Sequence, residues 1–257
     1  MKIGRFKKNG SSFFGIILSD GQVQKVSSPF ENEEVEFQNE VFSLDEVKIL
    51  PPSTPSKIIA VGLNYRSHAE ELKMQVPEEP IIFLKPPSSV IGHLEYIRLP
   101  KVSKEVHYEG EVGVIIKKTL RKPKTFKEVE DAILGYTCFN DVTARDLQKK
   151  DKQWTRSKSF DTFAPFGPWI ETDLDPENIT LVTRVNGQEK QRGNTGDLVF
   201  SILELINFIA NIMTLLPGDI IATGTPPGVG PIKKGDTVEV EVIGVGTLKN
   251  FVREEDE

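Results

Sequence analysis

Residues 106–116 read VHYEGEVGVII, and residues 133–148 read ILGYTCFNDVTARDLQ. The first stretch alternates along its length. Val106, Tyr108, Val112, Val114 and Ile116 fall on one face of an extended chain. His107, Glu109, Glu111 and Gly113 fall on the other. The second stretch opens with an apolar run over 133–139 and closes on Asn140-Asp141, a strand with a carboxylate at its end. Both stretches predict strands.

More strand signals lie on either side. Short apolar runs at 57–61 and 81–85, and alternating runs at 180–185 and 238–242, read as strands. Asn186-Gly187 predicts a hairpin turn. Near the start, 13–18 and 23–26 read as strands around a Ser19-Asp20-Gly21 turn. One helix is well marked. Ser201 and Glu204 match a capping box, and Ile202, Leu205, Ile206, Ile209 and Met213 repeat at helical spacing. Pro217-Gly218 is expected to stop it. Residues 65–74 have helical composition, and 76–80 form a loop rich in Pro and Glu.

These elements predict a mostly β (α+β) fold with a few helices. The regular alternation of strand and crossover helix of a Rossmann or TIM fold is missing. The run Pro51-Pro52-Ser53-Thr54-Pro55 suggests a boundary. It divides a small β-rich N-terminal region, 1–54, from a main domain, 55–257. GTPPGVG at 224–230 lacks the Lys-Ser/Thr of a P-loop and the spacing of a dinucleotide fingerprint, and reads as a substrate-facing turn.

Composition narrows the chemistry. One Cys and three His in 257 residues exclude Cys-based zinc clusters and most His-rich sites. A net charge of −6 argues against nucleic acid as a partner. The most apolar window, 198–216, is interrupted by Glu204, Asn207 and Asn211, so no membrane span is expected. The first residues lack the apolar core of a signal peptide, and a cytoplasmic location is the expectation. Carboxylate is plentiful, so any metal should be a hard, oxygen-ligated one.

Glu109 and Glu111 are two apart on a predicted strand and point the same way. A divalent cation would relieve their repulsion, although a solvated strand face would carry them equally well. Asp141 sits where a carboxylate can enter a site, or where it can cap the segment that follows. A Glu, Glu, Asp set suits Mg²⁺ or Mn²⁺ rather than zinc. His68 and Glu71, three apart on a helix, form an imidazole–carboxylate pair suited to a general base, or an incidental surface pair. Lys158 follows Trp154 and Arg156; it could stabilise an oxyanion or be a surface lysine. Arg145 and Gln148 lie within one helical turn and could hold a carboxylate together, or simply be exposed.

The order of these pieces resembles the fumarylacetoacetate hydrolase family, in its small single-module branch. The resemblance runs through VGLNYRSHAEEL at 61–72, IIFLKPPSSVIG at 81–92, VHYEGEVGVII at 106–116 and GYTCFNDVTARDLQ at 135–148. It continues through KSFDTFAPFGP at 158–168, NGQEKQRGNTGDLVF at 186–200, PGDIIATGTPPGVGP at 217–231 and KKGDTVEVEVIGVGTLKN at 233–250. It implies rolled mixed β-sheets around a central metal site, a homodimer, and Mg²⁺ or Mn²⁺ as cofactor. By the same resemblance, Glu109, Glu111 and Asp141 match metal ligands. His68 and Glu71 match a catalytic dyad on a lid over 69–80, and Lys158 a lysine beside the metal. Arg145, Gln148 and Thr225 match substrate-contacting positions.

The implied substrates are small 2-oxo or 2,4-dioxo acids reacting through an enolate. The leading expectation is hydrolysis of the C–C bond of an acylpyruvate such as fumarylpyruvate. The alternatives are isomerisation of 2-hydroxyhepta-2,4-diene-1,7-dioate, or decarboxylation of 5-oxopent-3-ene-1,2,5-tricarboxylate or oxaloacetate. The isomerase substrate belongs to aromatic (homoprotocatechuate) breakdown. A non-catalytic β-rich binding module is the expectation of a different class. The short N-terminal region departs from the larger one of the tyrosine-degradation enzyme, which speaks against fumarylacetoacetate itself.

Overall fold

The computed structural model describes residues 1–31 and 34–256; Asn32 and Glu33, within the acidic stretch before Pro51, lie outside it. The chain is 43% strand and 17% helix. A twelve-stranded mixed sheet dominates. At its middle, Ala164–Glu171, Ile133–Asn140, Gly110–Ile116, Ile220–Ala222 and Ile58–Gly62 lie side by side, and Ile81–Lys85 closes one end. At the other end Lys2–Lys8 pairs with Ala164–Glu171, followed by Ser11–Ile17, Gln22–Val26 and Phe37–Ser43. The first fifty residues thus continue the main sheet. A five-stranded sheet runs Gln188–Asn194, Thr180–Val185, Thr237–Val242, Gly246–Glu254, Tyr96–Leu99.

The largest apolar core fills the space between the two sheets. Val112, Val114, Tyr136 and Cys138 meet Leu181, Val240, Val242 and Leu248 there. The helix Ile202–Ile212 joins the same core through Ile202, Leu205, Ile206, Ile209 and Ala210, with the Ser201–Glu204 capping box in place. It ends before Pro217-Gly218. Met213 is already extended, and Leu215 bridges to Leu120, so tertiary pairing stops the helix ahead of the proline. On the far side of the main sheet, Ile58, Ala60, Ile115, Phe139, Phe166 and Ile220 form a second core. Strands Gly110–Ile116 and Ile133–Asn140 are therefore buried on both faces.

That double burial removes the solvated-face reading of Glu109 and Glu111. The stretch 106–116 also proves to be two strands. Val106–Tyr108 leaves the main sheet at Glu109 and joins a three-stranded sheet with Thr143–Ala144 and Gly230–Pro231. Gly110 sits at the break, where a Cβ would lie 2.0 Å from Thr183 Oγ1 of the facing sheet. Only glycine allows so close an approach. The Asn186-Gly187 hairpin forms, with both residues at positive φ, 51° and 76°. Arg66–Leu72 is helical and ends at Lys73 in the left-handed region. Helices Phe126–Glu130 and Thr155–Lys158 carry too little periodicity to be foreseen. Among the described residues, no helix is long and apolar enough to cross a membrane.

Candidate active site

The strand register gathers the carboxylates. Gly110 pairs with Asn140 across the ladder, so Glu109 and Asp141, the next residues on each side, meet beyond the end of the pair. Asn140 Oδ1 accepts the Glu109 N–H at 3.0 Å, and the Asp141 N–H donates to the Glu109 carbonyl at 2.8 Å. Glu111 points from the same side of the strand. One oxygen each from Glu109, Glu111 and Asp141 lies within 4.8 Å of the others, and all three residues are buried. The helix after Asp141 starts only at Arg145, with Ala144 at its N-cap, so Asp141 does not cap it.

Cations surround this cluster. Lys158 Nζ donates to Glu109 Oε2 at 2.8 Å and to Asp141 Oδ2. It also lies 5.1 Å from the centre of the Phe83 ring. Arg145 donates to Glu109 Oε1 and, at 2.6 Å, to Gln148 Oε1. Arg145 and Gln148 are thus engaged with each other and with Glu109. The Gly224 N–H donates to Glu111 Oε2 at 2.9 Å.

The charges divide unevenly. Burial pushes the Glu109 carboxyl up, but Lys158 and Arg145 outweigh it and hold its pKa at about 2. Burial likewise raises Glu111, and here Asp141 and Glu109 add to it, so its pKa stands well above the usual carboxylate range. Burial pulls the Lys158 ammonium down, yet Asp141 and Glu109 more than compensate and its pKa is raised. Glu111 is thus the carboxylate left without its own cation. A divalent ion is the group that an all-oxygen, three-carboxylate cluster with this residual demand could hold.

The two shifts have opposite consequences for stability. Glu109, held low, contributes stability above its ordinary pKa of 4.5, lost as pH falls toward about 2. Glu111, held high, binds its proton more tightly folded than unfolded, so stability falls as pH rises above 4.5. A cation replaces that proton. The rise in melting temperature on adding Mg²⁺ or Mn²⁺ to chelator-treated protein is therefore expected to grow from pH 5 to pH 8. A pH-independent rise, measured by scanning calorimetry, would contradict the assignment of Glu111.

His68 and Glu71 come together as expected. His68 Nδ1 lies 2.8 Å from Glu71 Oε2, and Glu71 Oε1 accepts the Gly228 N–H at 3.3 Å. The turn 224–230 therefore holds Glu111 through Gly224 at one end and Glu71 through Gly228 near the other. Thr225, between them, donates to the Gly110 carbonyl at 2.8 Å. A cavity of about 300 Å³ opens over the cluster. Glu109, Glu111, Asp141, Lys158, His68, Arg145, Gln148 and Thr225 all line it. Its apolar wall is Val61, Ile81, Phe83 and Trp154. A larger hollow of about 410 Å³, lined by Met1, Ile3, Phe37 and Leu134 among others, shares no residue with this cluster.

Three contributors escape the sequence reading. Gln191 accepts the Gly110 N–H at 3.0 Å and donates to Thr225 Oγ1 and the Pro226 carbonyl, each at 2.8 Å. It ties the peptide between Glu109 and Glu111 to the turn. Trp154 packs edge-on against Phe83 and would lie 2.5 Å from a Cβ at residue 62, which explains Gly62. Lys85 donates to Asp141 Oδ1 and to the Val142 carbonyl. A lysine closing the apolar run at 81–85 was the available signal.

Comparison with known proteins agrees with this architecture. The fumarylacetoacetate (FAA) hydrolase C-terminal model matches residues 57–253, and an Rv2993c-like N-terminal model matches 1–52. An uncharacterised Archaeoglobus fulgidus protein is 54% identical over 249 residues, 96% of this chain and 94% of that one. The oxaloacetate tautomerase Fahd2a of rat mitochondria is 43% identical over 219 residues, 80% of this chain and 70% of that one. The crystal structure of a 5-carboxymethyl-2-hydroxymuconate delta-isomerase from Mycobacterium smegmatis superimposes with a TM-score of 0.92 at 44% identity, covering 99% of this chain and 100% of that one. The chain belongs to the fumarylacetoacetate hydrolase family of enzymes.

Proposed function

We propose that this enzyme moves a proton on a small enolisable 2-oxo acid, as a tautomerase or isomerase that uses Mg²⁺ or Mn²⁺. The convergence of three carboxylates, Lys158 and the His68–Glu71 pair on one small cavity carries this reading. The tautomerase and isomerase relatives favour proton transfer as the reaction. Oxaloacetate is the first substrate to try.

Glu109, Glu111 and Asp141 would hold the cation. When bound, it supplies a Lewis acid for the oxygens of a 2-oxo acid and so favours the enolate. The protein's own groups do the rest. Glu71 on Nδ1 orients the His68 ring and leaves Nε2 to take or return a carbon-bound proton. Lys158, buried and held cationic by Asp141 and Glu109, sits where negative charge develops and stabilises it. Arg145, Gln148 and Thr225 face the substrate carboxylate. Phe83 and Trp154 keep that wall dry.

The same His68–Glu71 pair suits activation of a water, so hydrolysis of an acylpyruvate C–C bond stands as the second reading. An ultraviolet assay distinguishes them. The enol form of oxaloacetate should convert to the keto form faster with enzyme and Mn²⁺ than without, and excess chelator should abolish the difference. Oxalate and oxamate, which resemble the planar enolate, should inhibit at millimolar levels or below. Conversion at the uncatalysed rate, together with cleavage of fumarylpyruvate, would replace the first reading by the second.

A further inference from the structure

Lys85 closes Ile81–Lys85, the strand at the end of the twelve-stranded sheet, and its side chain has no solvent exposure. Its ammonium donates to Asp141 Oδ1 and, at 3.2 Å, to the Val142 carbonyl. Lys85 does not line the cavity, whereas Lys158, which does, donates to Asp141 Oδ2. The two oxygens of one carboxylate are therefore gripped from two sides, Oδ1 from behind and Oδ2 from the cavity. Fold stability gives no reason for this. Burying a charged lysine is costly, and an apolar side chain of the same length would fill the space without that cost.

We propose that Lys85 is a positioning residue that sets cation selectivity by weakening Asp141 Oδ1 as a ligand, so that Asp141 offers a cation one strong oxygen rather than two. The proposal rests on reading the three-carboxylate cluster as a cation site. Mg²⁺ requires near-octahedral geometry and is satisfied by one oxygen from each carboxylate. Ca²⁺ takes six to eight oxygens and readily uses both of a carboxylate. An N–H donor fixed on Oδ1 takes one of that oxygen's two lone pairs and draws charge from it, which weakens the second bond to Ca²⁺. Glu109 is held at both oxygens too, Oε1 by Arg145 and Oε2 by Lys158, and each oxygen keeps a lone pair for a cation. Of these holders, Lys85 alone lies outside the cavity, so a bound substrate or ion has no direct contact with it.

Calorimetric titration of the chelator-stripped, full-length protein with Mg²⁺, Mn²⁺ and Ca²⁺ tests the proposal without an activity assay. The wild type is expected to bind Mg²⁺ in preference to Ca²⁺. Lys85→Met keeps the length of the side chain and removes the donor; the ratio of Ca²⁺ to Mg²⁺ affinity should rise about tenfold. Lys85→Gln keeps an N–H donor and should stay nearer the wild-type ratio. An unchanged or lower ratio in Lys85→Met overturns the proposal, even if both affinities rise together, since that reports only lost charge repulsion. A wild type that prefers Ca²⁺ overturns it too, and needs no variant to fold. A wild type that binds none of the three ions overturns the cation-site reading along with it.

Discussion

Glu111→Gln is expected to make the metal-free protein more stable while removing its affinity for divalent cations. The amide has the shape of the carboxylate, and its oxygen can still accept the Gly224 N–H. What disappears is a buried carboxyl that must either carry charge beside Asp141 and Glu109 or take up a proton to stay neutral. Relief of that cost should be worth about 1 kcal/mol or more near pH 7, or roughly 2–4 °C in melting temperature. Cation affinity should fall by more than about 100-fold, beyond the 10–100-fold typical of a residue that only supports a ligand. Activity should fall with it. Calorimetry with and without Mn²⁺ reads both effects. A destabilised variant that still binds cation would remove Glu111 from the site.

His68→Gln should behave in the opposite way. His68 lines the cavity, and its hydrogen bond is to Glu71 rather than to the three carboxylates. Cation affinity and melting temperature should therefore stay near wild type. The maximal rate should drop by about 10²–10⁴-fold, the usual contribution of a positioned acid–base group. Glu71→Gln should give a smaller drop in rate. It should leave cation affinity unchanged, because what the imidazole loses is the carboxylate that orients its ring. An equal fall in rate and cation affinity for His68→Gln would mean that His68 supports the carboxylate cluster and takes no part in proton transfer.

The residues in these predictions differ in how plainly the sequence shows them. Glu109, Glu111 and Asp141 could be singled out because strand period and strand ends are local properties. So are the Asn186-Gly187 hairpin and the Ser201–Glu204 capping box, and both of these motifs occur as read. The break at Glu109 is not local. The alternation runs on through 108–111, and at the break Thr183 of the other sheet packs close to Gly110, a contact between residues 73 apart in the chain. Gln191 lies in the polar hairpin arm QEKQRGN, where nothing distinguishes it from its solvated neighbours. Lys85 meets Asp141 across 56 residues of chain. The proposed ligands are legible because one strand pair presents them. The residues that hold them in place come from other elements, and only the folded chain shows those contacts.

The first fifty residues give the main sheet something other than catalysis. Without them, the Ile170–Glu171 end of Ala164–Glu171 would lose its partner strand, while Ala164 and Pro165 keep theirs in Val90–Ile91. Lys2–Lys8 pairs there, and the meander of Ser11–Ile17 and Gln22–Val26 carries the border outward to Phe37–Ser43. That last strand reads FQNEVFS and sets Gln38, Asn39 and Glu40 in solvent. The border of the sheet is thereby moved to a strand that mixes charged and amide side chains with the exposed Phe37 and Val41. At this end, the N-terminal region sets three further strands between the sheet's edge and the strands that carry the carboxylate cluster.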